Sequence, residues 1–309
     1  MRLRHPSGRI VHLSCGVSLV HAETPADGLE RLEATAAELR SHFGTGLLGV
    51  ALRLSYPLAA ALADDGRART RLRAELDAKG LEVVTLSGVP DAEGGGENTV
   101  TTTDDAADDP RLPGDWSTPS RVRHTLALAR ILVDLLPFEE VRGAIATCGL
   151  GPATEWDENH QKAGARHISR LSGGLADLAW RVGRAVRCGF EPGPGQVLDS
   201  PEATVAALTR VDKDRLGVCL DLATVIRDWP DPEAGIDRIT DAGLSVITAR
   251  ITDPASGWQP ILRHLLAADT ARTEYVDVDT PAGAADLPYV LEELTAIGLV
   301  PEQQPCTAP

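Results

Sequence analysis

The sequence predicts an α/β fold of the (β/α)₈ barrel (TIM barrel) type, and three observations lead to this prediction. Eight short apolar runs, rich in β-branched residues, alternate with longer segments of helical periodicity. The runs are nearly continuous in hydrophobicity, as is typical of parallel strands covered on both faces. Eight strand–helix units in a chain of 309 residues fit a closed barrel better than an open sheet.

The eight apolar runs define the predicted strands. They are Ile10–Cys15, Leu47–Leu54, Leu81–Val89, Val141–Thr147, Val186–Glu191, Leu216–Leu222, Leu244–Ile251 and Tyr275–Asp279. No Gly-x-Gly-x-x-Gly motif follows the first run, which argues against a Rossmann fold. We therefore predict one barrel domain over residues 1–300, followed by a disordered tail over residues 301–309.

Helix starts are marked by a capping residue followed by proline. The pairs are Thr24-Pro25, Thr118-Pro119, Ser200-Pro201 and Asp231-Pro232. A hydroxyl or carboxylate oxygen accepts a hydrogen bond from a free N–H of the first turn, and proline fits the first helical position because it has no N–H to leave unpaired.

Residues 91–116 form a long third connection from strand to helix, rich in Gly, Thr and Asp. Two interpretations stay open for it: a lid over the barrel mouth, or a solvated insertion.

The composition excludes two classes of partner. A formal net charge of −15 and a pI near 4.9 argue against nucleic acid and against an anionic membrane surface. No apolar run is long enough for a membrane-spanning helix. The five cysteines are widely spaced and form no zinc-type pair, so we predict reduced thiols in a cytoplasmic protein.

Four charged residues stand at or near the carboxyl ends of the last four predicted strands, one on each strand. They are Glu191, Asp221, Arg250 and Asp279, separated by 30, 29 and 29 residues. One strand–helix unit separates each from the next, so we expect them at similar heights, converging at the carboxyl ends of the strands where barrels carry their active sites. Three converging carboxylates require positive charge, which either a divalent metal or Arg250 could supply.

Several short segments, in order and spacing, resemble the metabolite traffic protein EboE family, within the xylose-isomerase-like TIM barrel superfamily of sugar-phosphate isomerases and epimerases. They are Leu52–Ser55, Thr85–Pro90, Pro113–Trp116, Gly143–Thr147, Phe190–Pro194, Gly217–Asp221 and Tyr275–Thr280. The resemblance implies a metal site with acidic ligands on the fifth, sixth and eighth strands. Glu191, Asp221 and Asp279 occupy those positions, Asp279 being shorter than the family's Glu.

The sequence departs from the family at the other metal-site positions. Arg250 stands on the seventh strand where the superfamily has a His or Gln-like ligand, and a guanidinium stays protonated and cannot coordinate a metal. Thr224 replaces a family histidine, and the first-strand motif is altered over residues 15–23. The cofactor prediction is therefore one divalent ion (Mn²⁺, Mg²⁺, Co²⁺ or Zn²⁺), or none if Arg250 takes its place.

Two functions follow from these residues. In the first, the protein isomerises or epimerises a sugar or sugar phosphate: Glu191 and Asp279 exchange protons, Arg250 acts as electrophile, and His12, His21 and Arg53 bind substrate. In the second, the barrel has lost catalysis and binds a metabolite, or a protein of a biosynthetic or metabolite-trafficking assembly. A homo-oligomer is compatible with both.

Overall fold

The fold is a closed barrel of eight parallel strands surrounded by helices, seen in a computed structural model that describes residues 1–43, 46–88, 114–268 and 271–302. Each barrel strand pairs with the next along the chain, and pairing of the first with the last closes the ring. The predicted (β/α)₈ barrel is confirmed.

The strands are numbered in chain order. The barrel strands are β2 (Ile10–Leu19), β3 (Leu48–Leu54), β4 (Leu81–Gly88), β5 (Arg142–Cys148), β6 (Ala185–Glu191), β7 (Leu216–Asp221), β8 (Val246–Ile251) and β9 (Tyr275–Val278). Two short strands, β1 (Arg2–Arg4) and β10 (Val300–Pro301), pair antiparallel to each other, and β1 also pairs antiparallel to β2.

Helices follow the barrel strands and cover their outer faces. They are α1 (Pro25–Phe43), α2 (Tyr56–Asp64), α3 (Gly66–Ala78), α4 (Pro119–Leu135), α5 (Glu158–Val182), α6 (Pro201–Leu208), α7 (Leu222–Asp228), α8 (Pro232–Asp241), α9 (Trp258–Ala267) and α10 (Leu287–Ala296). Two of the connections, after β3 and after β7, contain two helices each.

All four predicted cap–proline pairs begin a helix. In three of them the side chain accepts a hydrogen bond from the first turn, as when the Ser200 hydroxyl accepts from the N–H of Ala203. Thr118 is the exception, because its hydroxyl donates to the main-chain oxygen of Asp115 and makes no cap. The Thr118 side chain thus stabilises the turn before α4, whereas the sequence predicted that it caps the helix.

Strand β2 runs four residues beyond its predicted end at Cys15. The extension pairs in parallel with β3, from Ser14 opposite Gly49 to Leu19 opposite Leu54. The glycine at position 16 does not interrupt it, because the neighbouring strand supplies the backbone partners. Strand β2 therefore lines the mouth together with the strands at whose ends Glu191, Asp221 and Asp279 stand.

The described part of the carboxyl-terminal segment packs on β1. Pro301 pairs with Leu3, and Glu302 donates its N–H to the main-chain oxygen of Arg2 and forms an ion pair with Arg4. The predicted disordered tail over residues 301–309 stays a prediction. The rest of the tail, and most of the 91–116 connection, lie outside the described residues.

Four cysteines in the described residues, Cys15, Cys148, Cys188 and Cys219, are free thiols. Burial raises the pKa of each of them, so they are protonated at neutral pH. Across the described ranges, no helix has the length and apolar character needed to cross a membrane.

We predict that His124, on α4, makes stability fall in mild acid. Burial, and to a lesser degree Arg121, lowers the pKa of His124 to about 3, from 6.5 in the unfolded chain. Between these two pKa values the unfolded chain binds the proton and the folded protein does not. The free energy of unfolding therefore falls as the pH drops below about 6.5. His124→Gln should reduce the loss between pH 7 and pH 5 by about 2 kcal/mol, measured by urea unfolding. The exposed His42→Gln is the control, and equal pH dependence in all three proteins would contradict the prediction.

Candidate functional site at the barrel mouth

Arg250, at the end of β8, lies at the centre of the barrel mouth and holds Glu191 from β6. Its Nη1 donates to both carboxylate oxygens of Glu191, at 2.7 and 2.6 Å. Burial alone would lower the pKa of Arg250, but Glu191 and the other nearby acids raise it above its usual value. The guanidinium is therefore a permanent charge at every pH at which the protein folds.

Asp279, directly after β9, is held by two arginines. Nη2 of Arg250 donates to its Oδ2 at 3.1 Å, and Arg53 from β3 forms an ion pair with the same oxygen. Gly16 on β2 provides the space, since a Cβ atom at this position would lie 2.6 Å from Oδ1 of Asp279. One carboxylate, two guanidinium groups and a glycine thus meet on one side of the mouth.

Asp221, at the end of β7, accepts its hydrogen bonds from groups other than Arg250. Its Oδ1 accepts from the hydroxyl of Thr252 at 2.7 Å and from the N–H of Ala223, and its Oδ2 accepts from the hydroxyl of Thr224 at 2.8 Å. Asp221 caps the helix that follows it. It lies beside Arg250 in the strand register, but its oxygens are taken up by threonines and the backbone.

Asp277 is a buried acid below this layer that the sequence analysis missed. It accepts a hydrogen bond from the hydroxyl of Thr85 on β4 at 3.0 Å, across the barrel interior. Burial raises its pKa to about 7, although Thr85, Arg250 and Arg53 act in the opposite direction. Side chains alternate between the two faces of a strand, so Asp277, two residues before Asp279, points to the same face. From this alternation the sequence could have predicted Asp277 as a site residue.

Above these side chains lies an open cleft of about 430 Å³. Arg53, Glu191 and Arg250 line it together with Gln196, Thr224 and Arg121. Arg121, in the first turn of α4, is buried and donates its Nε–H to the main-chain oxygen of Gly114 at 2.7 Å. Its position depends on the turn before α4, so no sequence pattern pointed to it. The cleft has the size of a small-metabolite site and presents three guanidinium groups.

The acids at the mouth already have partners in this structure. Glu191 and Asp279 direct oxygens at the same guanidinium, so the cation between them is that of Arg250. Asp221 is engaged elsewhere. Within the part of the chain that the structure describes, no group of three or more His, Cys, Asp or Glu side chains is placed to hold a metal ion.

The two histidines predicted to bind substrate are not part of this cluster. His12 lies near the start of β2, paired with Tyr275 at the start of β9, and stacks on the tyrosine ring with centroids 5.5 Å apart. That is the amino-terminal end of the barrel, opposite to the mouth, so His12 packs on Tyr275 there and its predicted role in substrate binding stays a prediction. Burial lowers its pKa to about 3. His21 is exposed in the turn between β2 and α1, on the mouth side.

The similarity of this chain to known proteins lies in structure. No protein-family model and no curated protein sequence matches it. A D-tagatose 3-epimerase-like protein superposes with a TM-score of 0.59 at 12% identity, over 93% of this chain and 98% of that one. A xylose isomerase-like TIM barrel protein from Mycobacterium smegmatis, in complex with magnesium, gives 0.56 at 17% identity, over 95% and 94%.

An AP endonuclease of family 2 from Brucella melitensis is about as similar, with a TM-score of 0.56 at 16% identity over 91% of this chain and 98% of that one. At such identities the superpositions establish the fold, a (β/α)₈ barrel like that of these proteins, and no activity. The resemblance to the EboE family is not confirmed by them and stays a prediction.

We predict that Arg250→Met destabilises the protein, because it leaves Glu191 and Asp279 facing each other without their shared cation. Removing one partner of a fully buried ion pair costs about 3–5 kcal/mol. The Arg250 and Glu191 side chains are 19% and 30% exposed, so we expect less, about 2 kcal/mol in urea unfolding.

Adding Glu191→Gln to Arg250→Met should recover part of that loss, since it removes the carboxylate that Arg250→Met leaves without its cation, whereas Asp279 keeps its ion pair with Arg53. Arg227→Met, which breaks an exposed pair with Asp228, is the control and should change stability little. Equal stability of Arg250→Met and the wild type would contradict the prediction that the ion pairs of Arg250 stabilise the folded protein.

Proposed function

We propose that the chain is a sugar or sugar-phosphate isomerase/epimerase-like barrel that moves protons with carboxylates, and that Arg250 stands in place of a divalent metal. The observation that carries the proposal is the position of Arg250 between Glu191 and Asp279. A cation flanked by two carboxylates at the mouth is the arrangement that proton transfer next to a carbonyl requires.

The proposed reaction uses the two acids unequally. Among the described residues Glu191 contacts Arg250, whereas Asp279 contacts both Arg250 and Arg53, so fewer contacts have to break to free Glu191. Glu191 is therefore the base that removes a proton from the carbon next to the carbonyl. The C–H electron pair forms the carbon–carbon double bond of an enediolate, and the carbonyl π pair moves onto oxygen. For an isomer, Glu191 returns its proton to the former carbonyl carbon while the proton of the neighbouring hydroxyl passes to the enolate oxygen. For an epimer, Asp279 meets the substrate in its protonated form and gives its proton to the opposite face of the same carbon.

Substrate binding has to release Glu191 first. Both carboxylate oxygens of Glu191 are directed at Nη1 of Arg250 and not at a substrate carbon. A carbonyl oxygen that takes over Nη1 of Arg250 frees Glu191 and at the same time places the cation where the enediolate charge develops. Arg121 and Arg53, on the wall of the cleft, are the groups that we expect to bind a phosphate or hydroxyl groups of the substrate.

A second candidate function is a non-catalytic barrel that binds a metabolite or a protein of a biosynthetic assembly, as the EboE-family resemblance suggests. The observation that favours it is the same closed ion-pair cluster, in which both candidate proton-transfer groups are already paired. The two functions differ in one observable, the exchange of a carbon-bound proton with solvent.

Proton exchange in ²H₂O tests the catalytic proposal. Ketohexoses and their phosphates, D-tagatose first, are incubated with the protein and followed by NMR for deuterium at the carbon next to the carbonyl. We expect incorporation that EDTA does not abolish and that Glu191→Gln lowers by about 10²–10⁴-fold. Glu202→Gln, on the exposed face of α6, is the matched control. Binding of a sugar without exchange would favour the second function.

Thermal unfolding with added Mn²⁺, Mg²⁺, Co²⁺ and Zn²⁺ tests the replacement of the metal. A site that binds only the folded state raises Tm, so we expect no shift in the wild type. Arg250→His replaces the guanidinium by a neutral imidazole beside Glu191 and Asp279, and should gain a metal-dependent rise in Tm. A clear shift in the wild type that is lost in Glu191→Gln would show that a metal site survives, and the replacement would be wrong.

A further inference from the structure

A second concentration of arginines lies at the amino-terminal end of the barrel, opposite to the mouth. Here a cleft of about 290 Å³ opens between the first residues of the strands and α5. Its charged lining residues are Arg142, Arg187, Arg215, Arg272, Asp214 and Glu274. We call this the amino-terminal cleft.

The amino-terminal cleft is positive in a chain whose net charge is −15. Four guanidinium groups line it against two carboxylates, an excess of two positive charges (4 − 2). Asp212, outside the lining, pairs with Arg215 at 2.6 Å and reduces the excess to one. Such an excess in an acidic protein favours an anion by electrostatic attraction.

Arg187, on β6, is the residue least supplied with partners. Its side chain is buried, with 7% of its surface exposed. Its Nε donates to the main-chain oxygen of Asp214 at 3.2 Å, and its Nη2 has no hydrogen-bond partner among the described residues. The charge of Glu274 acts on Arg187, but the described residues supply no acceptor for Nη2. A buried guanidinium N–H without an acceptor is costly, unless an anion binds next to it.

The other arginines on the wall of the cleft are more accessible. Arg142 reaches Glu274 at 3.4 Å, but 63% of its side chain is exposed, so the pair is weak and leaves donors for a ligand. Arg272 is exposed and lies just before β9, with a φ of +50° in the left-handed region. A non-glycine residue in this region is uncommon.

From this geometry we propose that the amino-terminal cleft binds a phosphate group, carried by free phosphate or by a small phosphorylated metabolite. Several planar guanidinium groups around one cleft match the oxygens of a phosphate, with which arginine forms paired, charge-assisted hydrogen bonds. The site is separate from the mouth and does not depend on the proposed catalytic function. Binding there would make the protein respond to phosphate concentration at the end of the barrel opposite to Arg250.

Calorimetric titration of the full chain with inorganic phosphate, at ionic strength matched with chloride, tests the proposal. We expect saturable binding that Arg272→Ala weakens about tenfold and Arg272→Lys weakens less, because lysine keeps the charge but not the planar fork. Arg31→Ala, which removes the same charge from the exposed face of α1, should bind like the wild type.

Two further variants keep the test decisive. Arg187→Lys should fold, since it keeps a cation at the buried position, and should also weaken binding. Arg250→Met should leave phosphate binding unchanged. No saturable binding, equal weakening by Arg31→Ala and Arg272→Ala, or loss in Arg250→Met alone would each overturn the proposal. If glucose 6-phosphate competes with phosphate and binds more tightly, the ligand is a phosphorylated metabolite; equal affinity identifies free phosphate.

Discussion

The contact of Arg250 with Glu191 and Asp279 is the interaction on which the mouth of this barrel depends. Strands β6 and β8 and the residue directly after β9 contribute one charged group each, and these groups meet at the carboxyl ends of the strands. A guanidinium cannot give up its proton at any pH at which the fold survives, so the charge is built into the chain. A barrel with a bound metal would instead depend on supply of the ion and on the pH at which its ligands lose their protons.

Charge is distributed in two regions with different balance. At the mouth, Arg53 and Arg250 are matched by Glu191 and Asp279, and Asp277 below them has its pKa raised to about 7 by burial. At the other end, arginines exceed carboxylates. These four charges at the mouth are therefore balanced, while the amino-terminal cleft has an excess of positive charge.

Much of the fold and the central part of the candidate site could be predicted from the sequence. Strands covered on both faces leave apolar runs, and one strand–helix unit has a nearly constant length, so the spacing of Glu191, Asp221, Arg250 and Asp279 predicted that they stand where their strands end. His12 was considered by its residue type without its position on β2, where it pairs with the first residue of β9. A polar residue near the start of a barrel strand belongs to the opposite end.

Other features depended on contacts that no local pattern encodes. Asp221 lies at the expected strand end, yet two threonines decide where its oxygens point: Thr224, three residues later, and Thr252, directly after the neighbouring strand β8. Arg121 reaches the cleft from a helix, through a turn whose hydrogen bonds replace the expected cap. Directions of side chains at strand ends are set by such neighbours, and a one-dimensional pattern gives only their order.

Gly16 links the first barrel strand to the last in a way that constrains how this site can change. Because a Cβ there would meet the carboxylate of Asp279, any larger residue at position 16 would push the acid away from its arginines. An acid lengthened by one methylene at position 279 would in turn need the room that the glycine leaves. Evolutionary drift at these two positions must therefore be concerted, and a library that randomises them together would sample functional mouths that single substitutions miss.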